Sequence, residues 1–214
     1  MKKDYLLDIS EIFFSLQGEG PFIGKPFIFL RLSGCIEPYC PFCDTKYSWK
    51  SNTKFKINEL VELILSYNCK NIVITGGEPF LQWNSGLFKL VDILKANSFF
   101  IQYETSGKVD IPDAPKGIVV CSPKFINGSW HIIETNINKS HFFKFLYLLG
   151  WEDLILEFIE RNGISKEKIY IMPLGKTKEE QLALMPHVFE FCKKHRFNMS
   201  PRLHVLCFGD KNGI

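Results

Sequence analysis

Eight short apolar runs recur along the chain with helically spaced segments between them, and this alternation constrains the fold more than any other feature. The runs are rich in β-branched and aromatic residues. Several are apolar nearly throughout, as is typical of parallel strands covered on both faces. Strands that alternate with helices indicate an α/β fold, and right-handed crossovers restrict its topology to a wound sheet or a barrel. The runs read EIFFSL, FIFLRL, NIVIT, FFIQYE, GIVVC, FFKFLYL, KIYIMP and RLHVLCF.

The segments between these runs carry broad apolar faces at helical spacing. The longest, KTKEEQLALMPHVFEFCKKH, contains Pro186, which is expected to kink or interrupt the helix. The stretch from Asp110 to His141 lacks periodicity and is predicted to be loop with one short strand. With 214 residues, no internal repeat and no long linker, the chain is expected to form one domain over residues 1–214.

Composition limits the classes of partner. The net charge is +3, which falls short of the basic stripe of a nucleic-acid-binding protein. No apolar run approaches the roughly 18–20 residues of a membrane span, and the first residues lack the pattern of a secretory leader. We therefore expect a cytoplasmic protein that binds neither nucleic acid nor a membrane. Its seven cysteines are then not a disulfide framework.

Three of the cysteines cluster within nine positions, at the spacing C-x4-C-x2-C: Cys35, Cys40 and Cys43. Such short loops let thiolates converge on one inorganic centre. A structural zinc ion would need a fourth ligand, and the sequence offers no second CxxC or HxxxH pair. A [4Fe–4S] cluster held by three cysteines fits better, because the fourth iron keeps an open position for a small molecule. Zinc and chance clustering stay as alternatives.

Polar groups follow the ends of three successive apolar runs. Residues 75–79 read TGGEP, and paired glycines at a strand end let the backbone approach a ligand closely. Glu104 follows the next run, and Ser122 and Lys124 follow the one after. Because the carboxyl ends of parallel strands share one mouth, these groups are expected to converge there. A carboxylate and a hydroxyl suit a ribose diol, and a lysine suits a carboxylate.

The cysteine cluster, with Phe42 directly before the last cysteine, resembles that of the radical S-adenosylmethionine enzymes, whose usual spacing is C-x3-C-x2-C. Together with FSLQGEGPFIGKPFIFLRLSGC, CDT, TGGEP and RLHVLCFGDKNG, it makes the whole chain resemble the 7-carboxy-7-deazaguanine synthase family. Enzymes of that family convert 6-carboxy-5,6,7,8-tetrahydropterin to 7-carboxy-7-deazaguanine by a radical ring contraction with loss of ammonia. They serve queuosine and related deazaguanine pathways.

The resemblance also implies a fold, cofactors and partners. The fold is an abbreviated, partly open TIM-type barrel of about six parallel strands with outer helices and a cluster-binding loop after an early strand. The cofactors are a [4Fe–4S] cluster, S-adenosyl-L-methionine and Mg²⁺. The enzyme is expected to be a homodimer that takes electrons from reduced flavodoxin or ferredoxin. No side chain is expected to be catalytic, because the cluster and S-adenosylmethionine generate the radical.

Residue roles follow from the resemblance position by position. The cluster is assigned to the three clustered cysteines, and Mg²⁺ to Thr45. The residues assigned to S-adenosylmethionine are Phe42, Gly76, Gly77, Glu78, Glu104, Ser122 and Lys124. Those assigned to the pterin are Gln17, Glu19, Arg31, Thr75 and His204. Taken alone, Arg31 could form an internal ion pair, Gln17 and Glu19 could be turn residues, and His204 could be a core histidine.

The chain departs from the family pattern in two places. Its first cysteine gap is one residue longer, and Met172 stands where many relatives have a Gln that serves the adenine or ribose. Two other readings compete with the resemblance: an activase that makes a glycyl radical on another protein, and a non-catalytic iron–sulfur or zinc module. The four tryptophans are predicted to be packing residues: Trp49, Trp83, Trp130 and Trp151.

Overall fold

The computed structural model describes residues 5–50, 53–209, 211 and 213. Asp210 and Asn212 of the terminal motif, like the first four residues, lie outside the described residues. The strands are β1 Leu6–Leu16, β2 Pro26–Leu32, β3 Thr53–Lys56, β4 Asn71–Gly76, β5 Phe100–Thr105, β6 Ile118–Cys121, β7 Lys124–Ile126, β8 Ser129–His131, β9 Phe142–Tyr147, β10 Ile169–Pro173 and β11 Asn198–Met199. The helices are α1 Ile57–Ser66, α2 Phe88–Ala96, α3 Asn136–Lys139, α4 Glu152–Arg161, α5 Lys178–His195 and α6 Leu203–Phe208.

Nine of these strands form one sheet in the order β11-β10-β9-β6-β5-β4-β2-β1-β3. From β2 to β11 every neighbouring pair is parallel, whereas β1 runs antiparallel to β2 and to β3. Each crossover therefore moves the chain one strand further along the sheet, as it does in a TIM barrel. The predicted α/β architecture is confirmed, with seven parallel strands and an antiparallel extension at one edge.

Strand alternation gives the sheet one face for the core and one for the site. In β2, Ile28 and Leu30 belong to the hydrophobic core that α1 and α2 cover, whereas Phe29 lines a cavity on the other face. In β9, Phe145 belongs to a second core under α4 and α5, whereas Lys144 lines the same cavity. The helices thus cover the outer face, and the inner face is free to hold functional side chains.

The apolar pattern of RLHVLCF predicted a strand, and this prediction is wrong. The run forms the helix α6. A short apolar run does not distinguish a strand from a helix by periodicity. The tertiary structure decides it: Leu203 N donates to Gly18 O at 2.9 Å, and Leu206 N donates to Arg202 O at 3.0 Å. This helix start lies directly beside the segment between β1 and β2.

Pro186 lies within α5, and the helix runs on through it from Lys178 to His195, so no interruption occurs. The stretch 110–141 holds more structure than predicted, because α3 and the β7–β8 hairpin accompany β6. The buried side chain of Asn136 organises it by donating to the carbonyls of Gly107 and Val109, each at 2.8 Å. Within the described ranges, no helix has the length and apolar character needed to cross a bilayer.

Candidate active site

One cavity of about 370 Å³ lies at the carboxyl ends of the parallel strands. Every residue that the sequence assigned to the site lines it, with the exception of Glu78. The lining residues from that set are Gln17, Glu19, Arg31, Cys35, Cys40, Phe42, Cys43, Thr45, Thr75, Gly76, Gly77, Glu104, Ser122, Lys124 and His204.

The three clustered cysteines lie on the loop that follows β2, and their thiols are free and half-buried. Cys43 N donates to Cys40 O at 3.1 Å, which closes a tight turn between the last two. Burial raises the pKa of the Cys35 and Cys40 thiols, and the ammonium group of Lys108 acts in the opposite direction on both. Among the described residues, no three His, Cys, Asp or Glu side chains are grouped to hold a single metal ion.

The long gap between Cys35 and Cys40 is anchored by a lysine from a distant segment. Lys108 Nζ donates to the carbonyls of Ile36 at 2.8 Å and of Pro38 at 2.9 Å. In the same gap, the Tyr39 ring stacks on Trp49 with 4.4 Å between ring centroids. The additional residue is therefore accommodated in a loop that side-chain contacts hold in place.

The Gly76–Gly77 turn packs β4 directly against the cysteine loop. Gly76 has φ +126°, and a Cβ there would lie 2.1 Å from Leu32 O. A Cβ on Gly77 would lie 1.7 Å from Gly34 O. Gly77 N donates to Leu32 O at 3.0 Å, and Glu78 N donates to Gly34 O at 2.8 Å. The glycines are thus required by the close approach of two backbone segments.

Glu78 lies behind the cavity wall, with its side chain fully buried. Its carboxylate accepts hydrogen bonds from Thr105 Oγ1 at 2.6 Å, from Ser106 Oγ at 2.6 Å and from Ser106 N at 3.0 Å. Burial raises the pKa of Glu78, and these hydrogen bonds oppose that rise. The carboxylate therefore ties the end of β5 to the glycine turn. Its assignment to S-adenosylmethionine stays a prediction.

Glu19 is held between two cations. Lys144, only 5% exposed, bonds Glu19 Oε2 and Glu104 Oε2 at 2.8 Å each. Arg202 Nε bonds Glu19 Oε1 at 2.9 Å. Burial alone would raise the pKa of Glu19, but Lys144, Arg202 and His204 outweigh it and hold the pKa well below its ordinary value. Glu19 is thus an ionised acceptor at neutral pH.

Gln17 lines the cavity and has a buried amide donor in its side chain. The residue is 4% exposed, and its Oε1 accepts from Glu19 N at 3.3 Å. Its Nε2 has no hydrogen-bond partner within the described part of the chain. His204 closes over the same segment, since a Cβ on Gly18 would lie 2.2 Å from His204 Nδ1. A buried amide donor without a partner costs about 1–3 kcal/mol, which a ligand acceptor would offset.

Arg31 forms an internal ion pair, one of the two roles that the sequence left open, and it also lines the cavity. Its Nε forms an ion pair with Glu11 Oε1 at 2.5 Å, directly across the β1–β2 ladder. Glu11 Oε1 also accepts from Tyr47 Oη at 2.7 Å. Arg31 nevertheless lines the cavity beside Thr75, its partner on β4. The ion pair thus orients an arginine that still faces the site.

The opposite side of the cavity combines a lysine with an apolar surface. Lys124 Nζ donates to Ser122 Oγ at 2.6 Å, and burial lowers the pKa of Lys124. Met172, on β10, lines the cavity next to Leu146. An apolar surface therefore stands where many relatives were expected to present a glutamine amide.

Three tryptophans pack as predicted. Trp83 contacts Phe80, and Trp130 contacts Phe158. Trp151 lies edge-on to the ring of Phe42, with 6.5 Å between centroids. The fourth tryptophan, which stacks on Tyr39, also lines the cavity.

Comparison with known proteins decides the family. No family model matches the chain. A 7-carboxy-7-deazaguanine synthase from Hyperthermus butylicus is 36% identical to it, over 94% of this chain and 92% of that protein.

The chain belongs to the 7-carboxy-7-deazaguanine synthase family. A second member, from Pyrobaculum aerophilum, is 31% identical over 96% of both chains. The crystal structure of QueE from Escherichia coli superposes with a TM-score of 0.80 at 26% identity, covering 93% of this chain and 95% of that one. The family resemblance and the abbreviated barrel read from the sequence are both confirmed.

In this 7-carboxy-7-deazaguanine synthase family member, sequence reasoning missed an ion pair at the site. Arg202 bonds Asp44, which lies between Cys43 and Thr45, and both line the cavity. No local signal pairs them, because 158 residues separate them. Lys144 does carry a sequence signal, since a lysine in the middle of the apolar run FFKFLYL needs buried partners.

The lining of the cavity carries more cations than carboxylates, which suits ligands that bear carboxylate groups. The cations are Arg31, Lys108, Lys124, Lys144, Lys176, Arg202 and Lys211. The carboxylates are Glu19, Asp44 and Glu104.

The residues present also fit a cluster. Three free thiols on one wall of an open cavity supply three ligands and leave room for a fourth, non-protein ligand. Burial raises the pKa of the Cys40 thiol, and the positive charges of Lys124 and Lys108 oppose that rise, in the direction of the thiolate that a metal needs.

Proposed function

We propose that the chain is a radical S-adenosylmethionine lyase that converts 6-carboxy-5,6,7,8-tetrahydropterin to 7-carboxy-7-deazaguanine with loss of ammonia. The observation that carries the proposal is the meeting of three free thiols, the glycine turn and the Gln17–Glu19 segment in one cavity. Relatives named 7-carboxy-7-deazaguanine synthase that align over nearly the whole chain support it.

The cluster and S-adenosylmethionine occupy the wall formed by the cysteine loop and the ends of β4, β5 and β6. Cys35, Cys40 and Cys43 would hold the cluster, which would supply one-electron reduction of the bound S-adenosylmethionine. The methionyl end lies along the glycine turn, with Phe42 and Lys124 beside it. The carboxylate of Glu104 and the hydroxyl of Ser122 face the ribose, and Met172 packs on the purine.

The pterin lies on the opposite wall. Gln17 Nε2 donates to a ring acceptor, and the ionised carboxylate of Glu19 accepts from ring N–H groups. Arg31, Thr75 and His204 complete the pocket. A donor beside a fixed acceptor discriminates strongly against ligands that lack the matching pair, because a mismatch leaves buried polar groups unpaired.

Magnesium is assigned to the hydroxyl of Thr45, next to the substrate carboxylate. Thr45 Oγ1 lies 3.7 Å from Cys43 Sγ, so the hydroxyl that would hold the ion lies beside the thiol of the last clustered cysteine. A neutral oxygen and a substrate carboxylate match the preference of Mg²⁺ for hard oxygen ligands.

The assembly and setting are proposed on the family resemblance. The enzyme is a cytoplasmic homodimer, each chain a single domain over residues 1–214. Reduced flavodoxin or ferredoxin provides the electron. Light scattering of the purified protein tests the dimer, and turnover with each reduced donor tests the electron source.

The experiment that tests the function is anaerobic turnover of cluster-loaded protein with the carboxypterin, S-adenosylmethionine, Mg²⁺ and a reductant. We expect 7-carboxy-7-deazaguanine, identified by mass. Cys43→Ala should lose both bound iron and product, whereas Cys207→Ala, at an exposed thiol away from the cavity, should keep both. A protein that binds stoichiometric zinc without iron, or a Cys43→Ala variant with normal turnover, contradicts the proposal.

A further inference from the structure

The guanidinium group of Arg202 joins three segments of the chain that are remote in sequence. Its Nε bonds Glu19 Oε1 at 2.9 Å, and its Nη1 donates to Gly175 O at 2.9 Å. Its Nη2 forms an ion pair with Asp44. The side chain is 10% exposed, so these contacts are largely shielded from water. A planar fork with all three nitrogens engaged fixes the relative positions of its partners.

Two of those partners belong to different segments that line the cavity. Glu19 follows Gln17 in the segment assigned to the pterin. Asp44 lies between Cys43, assigned to the cluster, and Thr45, assigned to magnesium. A displacement of either segment therefore changes the contacts of the same guanidinium group.

We propose that Arg202 is a positioning residue that couples pterin binding to S-adenosylmethionine binding, by fixing the Gln17–Glu19 segment relative to the Cys43–Thr45 segment. This inference rests on the proposed function. It adds a residue that acts through its contacts with Glu19 and Asp44. A ligand that orders one segment thereby lowers the cost of ordering the other.

A variant of Asp44 distinguishes two roles of Arg202. One is coupling of the two binding events, and the other is holding Glu19 in place. Asp44→Ala removes the arm to the cysteine loop and leaves the bond between Arg202 and Glu19 in place. The Asp44 side chain is 44% exposed, so its truncation does not open the core. Lys144→Met is the comparison variant, because Lys144 holds the other oxygen of Glu19 without an ion pair to Asp44.

The test measures the dissociation constant of the carboxypterin, with and without S-adenosylmethionine, on protein whose cluster is loaded and oxidised so that no turnover occurs. The coupling factor is the ratio of the two constants. For the unaltered protein we expect a factor of about 5 or more. Arg202→Gln should weaken pterin binding about tenfold and bring the coupling factor close to one.

The other variants separate the contributions. Asp44→Ala should also bring the factor close to one while leaving pterin affinity without S-adenosylmethionine within about twofold, because the Glu19 contact remains. The double variant should have the factor of Arg202→Gln alone. Arg202→Lys should fail to restore coupling, because one ammonium group cannot reproduce the fork. Lys144→Met should weaken pterin binding yet retain part of the coupling.

Three outcomes contradict the proposal: no coupling in the unaltered protein, full coupling in Asp44→Ala, or full coupling in Arg202→Lys. If thermal unfolding shows that Arg202→Gln does not fold, the exposed Asp44 variant decides alone. Failure of the proposed function looks different, because the unaltered protein would then neither bind the carboxypterin nor form product.

Discussion

The two walls of the cavity are built by different physical means. The cysteine wall is placed by backbone: the glycine turn packs on residues 32–34, and Lys108 binds two carbonyls of the loop. The pterin wall is placed by buried charge: Lys144 and Arg202 both hold Glu19, and Lys144 also ties it to Glu104 on the cofactor side. Added side-chain volume should therefore destabilise the cysteine wall most, and removal of a charge should destabilise the pterin wall most.

Removing charge from the pterin wall is expected to have the largest effect on stability. Lys144→Met leaves Glu19 and Glu104 buried without their shared cation, and breaking a buried ion pair in this way costs about 3–5 kcal/mol. Chemical denaturation of the metal-free protein measures it. Lys116→Met, which breaks an exposed ion pair with Asp92, is the matched control and should change little. Equal effects of the two variants would contradict a charge-built wall.

Adding side-chain volume to the cysteine wall is expected to have the second-largest effect on stability. In Gly77→Ala the new Cβ meets Gly34 O, so the cysteine loop must move, at a cost of about 1–3 kcal/mol. Bound iron after reconstitution should fall to a small fraction of that in the unaltered protein. Gly128→Ala is the control, because a Cβ on Gly128 would meet nothing within 4 Å, so the substitution adds only the strain of a φ of +79°. Normal iron content in Gly77→Ala would show that the turn does not place the loop.

Removing the lysine that anchors the cysteine loop should have a smaller effect on stability. Lys108→Met leaves the carbonyls of Ile36 and Pro38 without their charged donor, which costs about 1–2 kcal/mol. The measurement is the rate at which a chelator strips iron under anaerobic conditions, which we expect to rise several-fold. An unchanged rate would mean that Lys108 does not hold the four-residue gap.

Acid should weaken the pterin wall, with the smallest effect of the four. The folded-state pKa of Glu19 lies below its ordinary value of 4.5, so the stability it contributes is present above that pH and is lost as pH falls towards the folded pKa. Glu104 and Glu78 have raised pKa values and act in the opposite sense. The useful quantity is therefore the stability difference between the unaltered protein and Glu19→Gln, which should narrow below about pH 4.5. A difference that stays constant from pH 6 to pH 3.5 would contradict the ion-pair assignment.

The sequence predicted the cysteine wall more completely than the pterin wall. Cysteine spacing, paired glycines and strand ends are local signals, and strand parity carries residues such as Arg31 and Glu104 to the inner face. Arg202 and Asp44 gave no such signal, because an ion pair across 158 residues is visible only once the chain has folded. For the same reason the apolar pattern of RLHVLCF predicts a strand where the chain forms a helix: the start of that helix is fixed by contact with Gly18.

Glu78 shows what a motif leaves open. Its place in TGGEP predicts a contact with S-adenosylmethionine, but the contacts of a side chain at a turn depend on its neighbours. Its carboxylate accepts hydrogen bonds from Thr105, the last residue of β5, and from Ser106, directly after it. The motif located the turn, and the ligand contact stays a prediction.

The most direct test of the account is electron–nuclear double resonance on the reduced, cluster-loaded protein with S-adenosylmethionine labelled with ¹⁵N and ¹⁷O in its amino and carboxyl groups. If three thiols hold a cluster whose fourth iron is open to the cavity, both labels should couple strongly to the cluster spin. A four-iron signal that is unchanged by either label would contradict the claim that this cavity joins cluster and cofactor.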